Sequence, residues 1–172
     1  MKCMSVMSCL LVTVASAHAD LVGSYTIGSG TSTSFVQFEF TNANTYLYEV
    51  RYDGAMSGSD LLAVIAAAQP DYFSYEVQSF SFGDVLFGVS IGADADAGFG
   101  TPPDYLDYWH YWTKEPGDAA WTESWIGFGD RVVLDGSWDG WVFNSANAPS
   151  TVPGPGAVCV LALARLLRRR GR

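Results

Sequence analysis

Hydrophobic and polar positions alternate through much of the middle of the chain. Val36, Phe38 and Phe40 are interleaved with Gln37 and Glu39, and Tyr46, Tyr48, Val50 and Tyr52 fall on one parity of the next segment. Side chains on a strand point to opposite faces with a period of two, so the pattern predicts half-buried strands over 35–40 and 46–52. Comparable runs predict strands over 21–27, 73–82, 85–91, 105–112, 121–126, 131–134 and 138–143, set apart by glycine-rich turns. One segment has helical spacing instead. Leu61, Leu62, Ile65 and Ala68 share a side, Ser57-x-x-Asp60 offers a capping box, and Pro70 stops the run. The expected fold is α+β: mainly antiparallel sheet with one principal helix over about residues 58–68. No internal repeat is visible.

Two apolar stretches carry no such period, and both lie at the ends. Lys2 precedes an unpatterned apolar run over 3–14, followed by Ala15-Ser16-Ala17-His18-Ala19-Asp20. One positive charge, a short apolar segment and a small-x-small site form a secretory signal peptide, with cleavage after Ala19 or after Ala17. At the other end a polar spacer over 144–151 leads into Val152-Pro153-Gly154-Pro155, an apolar run over 157–167, and Arg168-Arg169-Arg170. Proline disfavours helix before the run, whereas alanine and leucine favour a short hydrophobic helix within it. The arginines are expected to stay on the cytoplasmic side and stop transfer. At ~1.5 Å per residue the run spans ~16 Å, about half of a ~30 Å hydrocarbon core. That length suits a transient membrane handle better than a durable anchor.

This order of segments resembles the PEP-CTERM sorting tail of bacterial exosortase substrates, with Gly154 standing where that family usually carries glutamate. The resemblance implies a chain divided into a signal peptide (1–19), a β-rich domain (20–143), a linker (144–151) and a sorting tail (152–172). It implies Val152, Pro153, Gly154 and Pro155 as the sorting motif, Arg168, Arg169 and Arg170 as the stop, and the secretion machinery with an exosortase-like membrane protein as partners. The body is similar to the central domain of other proteins with such tails. The likeness rests on Tyr108-Trp109-His110-Tyr111-Trp112 and Asp135-Gly136-Ser137-Trp138-Asp139-Gly140-Trp141.

Charge narrows the function classes. The formal net charge is −9, but all 18 acidic residues lie between Asp20 and Asp139, against only Arg51, Lys114 and Arg131 there, leaving the body about −15. Such a surface repels phosphate backbones, so no nucleic-acid partner is expected. The three cysteines, Cys3, Cys9 and Cys159, all fall in the two end segments, which leaves the body without a disulfide or thiolate site.

Candidate chemistry is sparse. The six tryptophans, Trp109, Trp112, Trp121, Trp125, Trp138 and Trp141, fall in one short window and serve either as core or as a stacking surface for a glycan. On regular strands Trp109 and Trp112 point to opposite faces, Trp121 and Trp125 share one, and a bulge at Gly140 would be needed to realign Trp141. Gly88-Val89-Ser90-Ile91-Gly92 spells the nucleophile-elbow string, but a Gly/Pro loop follows where that elbow needs a helix, and the body's only histidine is His110. Asp94 and Asp96 offer a weak calcium option in a loop whose twelfth position is Tyr105, not an acid. Asp135 and Asp139 read as ordinary turn residues. Zinc, P-loop and dinucleotide signatures are absent, so no catalytic residue and no cofactor are expected.

The sequence therefore predicts an exported, non-enzymatic cell-surface or extracellular-matrix protein, associated with the membrane during sorting. The alternative is a secreted glycan-binding module that uses the tryptophan-rich face, with extracellular polysaccharide as its partner.

Overall fold

The computed structural model describes residues 20–81 and 83–152. Its strands are β1 (Asp20–Gly28), β2 (Ser32–Glu39), β3 (Asn44–Tyr52), β4 (Phe73–Phe80), β5 (Gly83–Ile91), β6 (Asp94–Ala97), β7 (Trp109–Lys114), β8 (Thr122–Glu123) and β9 (Trp138–Phe143), with one helix, α1 (Gly58–Ala68). The main sheet has six strands in the order β1-β3-β2-β9-β7-β8, and a second has three in the order β4-β5-β6. Pairings are antiparallel except β1 with β3 and β2 with β9. The α+β, β-rich expectation therefore holds. The expected signal peptide and the expected hydrophobic terminal helix lie outside the described residues, and among the described residues no helix is long and apolar enough to cross a membrane.

The period-two pattern sets the core. Val36 pairs with Tyr48, Phe38 with Tyr46, and Phe38 with Trp141 across β2, β3 and β9, so these side chains share one face of the main sheet. Leu61, Leu62 and Ile65 of α1, and Phe73, Leu86, Val89 and Ile91 of the smaller sheet, close over that face. Aromatic rings mesh there edge to face: Phe38 meets Trp109 at 6.0 Å and Tyr48 meets Phe73 at 5.7 Å between centroids. The start of α1 follows the expected capping box. Ser57 Oγ accepts from the Asp60 amide at 3.2 Å, and Asp60 Oδ2 accepts from the Ser57 amide at 2.9 Å.

The opposite face of the main sheet is also covered. Gln37, Leu47 and Val142 are buried on it, and the Gln37 side-chain amide donates to the Ser150 carbonyl at 2.9 Å. The Ser150 amide and hydroxyl donate to Glu39 at 2.9 and 3.1 Å, while Pro149 and Val152 are buried. The stretch that the sequence places in the linker and at the start of the tail thus lies against the sheet. Gly140 makes this possible, because a Cβ there would come within 2.6 Å of Pro149 and 2.9 Å of the Trp121 ring.

Three local expectations change. The 94–97 segment, expected in a loop, is β6. Gly92, at φ +61°, opens a two-residue hairpin between Ile91 and Asp94, a turn that favours a residue with positive φ. The 131–134 run is no strand: its one bridge joins Val132 to Ser57, because the Arg131 side chain turns inward and finds its partners below the sheet. The 105–112 and 121–126 runs shorten to β7 and a two-residue β8, the first because Thr101 donates its amide and hydroxyl to Asp107 and ties residues 101–107 into a loop.

Candidate functional site

The tryptophans divide between three environments. Trp109 and Trp141 are buried in the core face, where Trp141 stacks on Tyr111 at 4.1 Å. Trp112, Trp121 and Trp138 are half-buried on the opposite face. Trp109 and Trp112 do point to opposite faces. Trp121 and Trp125 do not act as a strand pair, because β8 ends at Glu123. No bulge occurs at Gly140, which stays in register with Gln37 and Trp112.

Two of the three on the opposite face, Trp138 and Trp121, are already engaged by the protein itself. Phe35 stacks on Trp138 at 4.4 Å, and Trp121 meets it edge to face at 6.0 Å. The Lys114 ammonium sits 4.7 Å from the Trp138 ring and 5.2 Å from the Trp121 ring, a cation–π contact with both indoles. The ring faces of Trp138 and Trp121 that a ligand would need are largely spent on these contacts.

Trp125 is different. It is 90% exposed, the neighbouring Ile126 is 53% exposed, and both rim a cleft of about 320 Å³. The cleft opens where β7 loses its neighbour: β8 pairs only with Trp112 and Thr113, so the 108–110 edge faces the 123–128 loop and the start of β5. Its polar lining includes Asp84, Glu123, Tyr108 and His110. His110 stacks on Tyr108 at 3.8 Å, and burial pulls its pKa below the ordinary histidine value, so the ring is neutral at pH 7. Among the described residues, neither lysine nor arginine lines the cleft. An exposed indole beside such a concavity is the arrangement in which a planar or ring-shaped ligand stacks.

The other candidates have internal partners. Asp94 accepts from the Asn42 and Asn44 side-chain amides, each at 2.8 Å, and from the Tyr46 hydroxyl at 2.6 Å. The Tyr46 bond, then those of Asn44 and Asn42, hold its carboxyl below the usual carboxylate range. Asp96 accepts from the Thr41 amide at 2.9 Å. The two aspartates thereby pin the β2–β3 turn to β6, and among the described residues no cluster of three or more metal-ligating side chains occurs. Ser90 lies within β5, opposite Ser74 and Ala95, whereas His110 lies in β7 of the other sheet.

Sequence reasoning missed the polar centre of the core. Asp139, 2% exposed, accepts from Arg131 Nε at 3.3 Å and from the Tyr111 hydroxyl at 2.8 Å. Arg131 Nη1 also donates to Glu115 and to its neighbour's carbonyl, Val132 O at 3.0 Å. Burial pushes the Asp139 carboxyl up, and the Arg131 charge and Tyr111 hydroxyl pull it partly back. The signal was present in Asp-Gly-Trp alternation: Asp139 shares parity with Trp141 and Phe143, both core residues.

Of the predicted sorting residues, Val152 is described and buried, whereas Pro153, Gly154, Pro155 and Arg168–Arg170 lie outside the described residues. Comparison with protein-family models, with curated proteins and with solved structures gave no match.

Proposed function

We propose that the chain is an exported, non-enzymatic cell-surface or extracellular-matrix protein, sorted through its PEP-CTERM-like tail by an exosortase-like membrane protein. The observation that carries the reading is the order of the tail: Val152-Pro153-Gly154-Pro155, a short apolar run, then Arg168-Arg169-Arg170, with a signal-peptide pattern at the opposite end. Two features of the body support it. Asp20, the residue after Ala19, is already paired in β1, so cleavage there spares the sheet. The domain is also assembled without cysteine, as suits a chain that must fold after translocation without a disulfide partner. The test is fractionation of the native host after Arg168–Arg170 are replaced by glutamine. The reading expects more released or misoriented protein, and unchanged membrane fractionation counts against it.

A second reading, a glycan-binding module, is favoured by one observation: Trp125 stands exposed at the mouth of a cleft, while the other tryptophans are buried or half-buried against neighbours. Quenching of Trp125 emission by a panel of oligosaccharides tests it. Emission unmoved by every sugar rejects it.

A further inference from the structure

We propose that the Trp125 cleft binds a glycan carrying free amino groups, its sugar rings lying on Trp125 and its ammonium groups held by Asp84 and Glu123. The inference rests on the glycan-binding reading and adds the class of glycan.

Shape argues for a chain and not a single sugar. A second depression of about 200 Å³, lined by Val85, Phe99 and Tyr108, shares Val85 and Tyr108 with the Trp125 cleft. Phe99, in its lining, is 44% exposed. The two depressions thus adjoin, and each has an exposed aromatic ring in its lining: Trp125 in the first, and in the second Phe99, which packs beside Phe80 at 5.0 Å. Aromatic faces carry the negative end of the ring quadrupole, so they attract a cationic substituent as well as apolar sugar faces.

Charge argues for the amine. Asp84 and Glu123 are both exposed acidic groups on the cleft wall, no lysine or arginine among the described residues lines it, and His110 is uncharged there. The body as a whole is about −15. That field repels uronate or sulfated polysaccharides and concentrates polycations at the cleft. The Lys114 contact with Trp121 and Trp138 shows the same chemistry satisfied internally, with an ammonium near two indole rings.

The experiment is calorimetric titration of the full-length chain, at physiological ionic strength, with a fully de-acetylated glucosamine hexamer, its N-acetylated counterpart and an oligouronate. The de-acetylated hexamer should bind at least about tenfold more tightly than the acetylated one, and the oligouronate should not bind. Trp125→Ala should weaken binding by at least about tenfold, with an unchanged circular dichroism spectrum. The double variant Asp84→Asn/Glu123→Gln should abolish the preference for the free amine while leaving the acetylated hexamer unaffected. Tight binding of the de-acetylated hexamer that ignores Trp125→Ala overturns the proposal, since bulk charge then explains it. Trp125-dependent binding of the acetylated hexamer with no preference for the amine also overturns it, but leaves the glycan-binding reading standing. No binding of any probe overturns both.

Discussion

Asp139 and Arg131 form an ion pair beneath the main sheet, at 3.3 Å, with side chains only 2% and 7% exposed. Burying two charges is unfavourable unless each keeps its partners; here Tyr111 and Glu115 supply one more each, while Arg131 Nη2 has no hydrogen-bond partner among the described residues. Removing Arg131 strands the Asp139 carboxylate, and removing Asp139 leaves the buried guanidinium with Glu115 as its remaining carboxylate. Asp139→Ala is therefore expected to cost about 3–5 kcal/mol in urea denaturation, and Arg131→Met a similar amount. The double variant should cost clearly less than the two together, because it strands no charge. Additive losses would show that the pair is not coupled.

Gly140 carries a different kind of constraint. Gly140→Ala drives a methyl group into Pro149 and the Trp121 ring, and should cost about 1–3 kcal/mol by overpacking. If the 149–152 segment lifts off the sheet instead, its backbone becomes a protease site, since the Gln37 and Glu39 hydrogen bonds to Ser150 are lost with it. Limited proteolysis followed by mass analysis distinguishes the two, and an unchanged variant in both assays contradicts the packing described.

The Asp94 clamp predicts an acid dependence with a definite sign. Its folded carboxyl titrates below the unfolded one, so its contribution is complete above the ordinary carboxylate pKa of about 3.9 and is lost as pH falls through the folded value. Asp94→Asn should lower Tm at neutral pH and flatten the fall in Tm between about pH 5 and pH 2. A variant whose Tm tracks the parent across that range would show that the Tyr46, Asn44 and Asn42 bonds contribute nothing.

Trp125 is the expected source of the red edge of tryptophan emission, being 90% exposed while Trp109 and Trp141 are only 2% and 3% exposed. Trp125→Phe should shift the emission to the blue and reduce acrylamide quenching, with stability changed by no more than about 0.5 kcal/mol. An unshifted spectrum would place the exposed indole elsewhere.

Local pattern carried most of the strands and the helix. Tyr46 to Tyr52 alternate because that strand has one face under α1 and β4, and Ser57 with Asp60 marked the helix start because the cap is made by those two side chains alone. Partnership across the chain was hidden. The Asp94–Ala97 strand contains no β-branched or aromatic residue, and it is held in the sheet by β5 and by the distant 41–44 turn. Asp139 looked like a turn residue because its partners Arg131, Tyr111 and Glu115 come together only in the folded sheet. For the same reason the tryptophan window did not reveal its own division. Lys114 over Trp138 is a cross-strand pair between β7 and β9, and Trp121 over Gly140 is a loop laid on a strand; no spacing encodes either.

Export remains the claim on which the functional account depends, and intact-mass measurement of the protein isolated from its native host tests it most directly. The account predicts a mature N-terminus at Asp20 or His18 and a C-terminus shortened or altered within the tail. A single species with the mass of all 172 residues, beginning at Met1 and recovered from the cytosol, would contradict it.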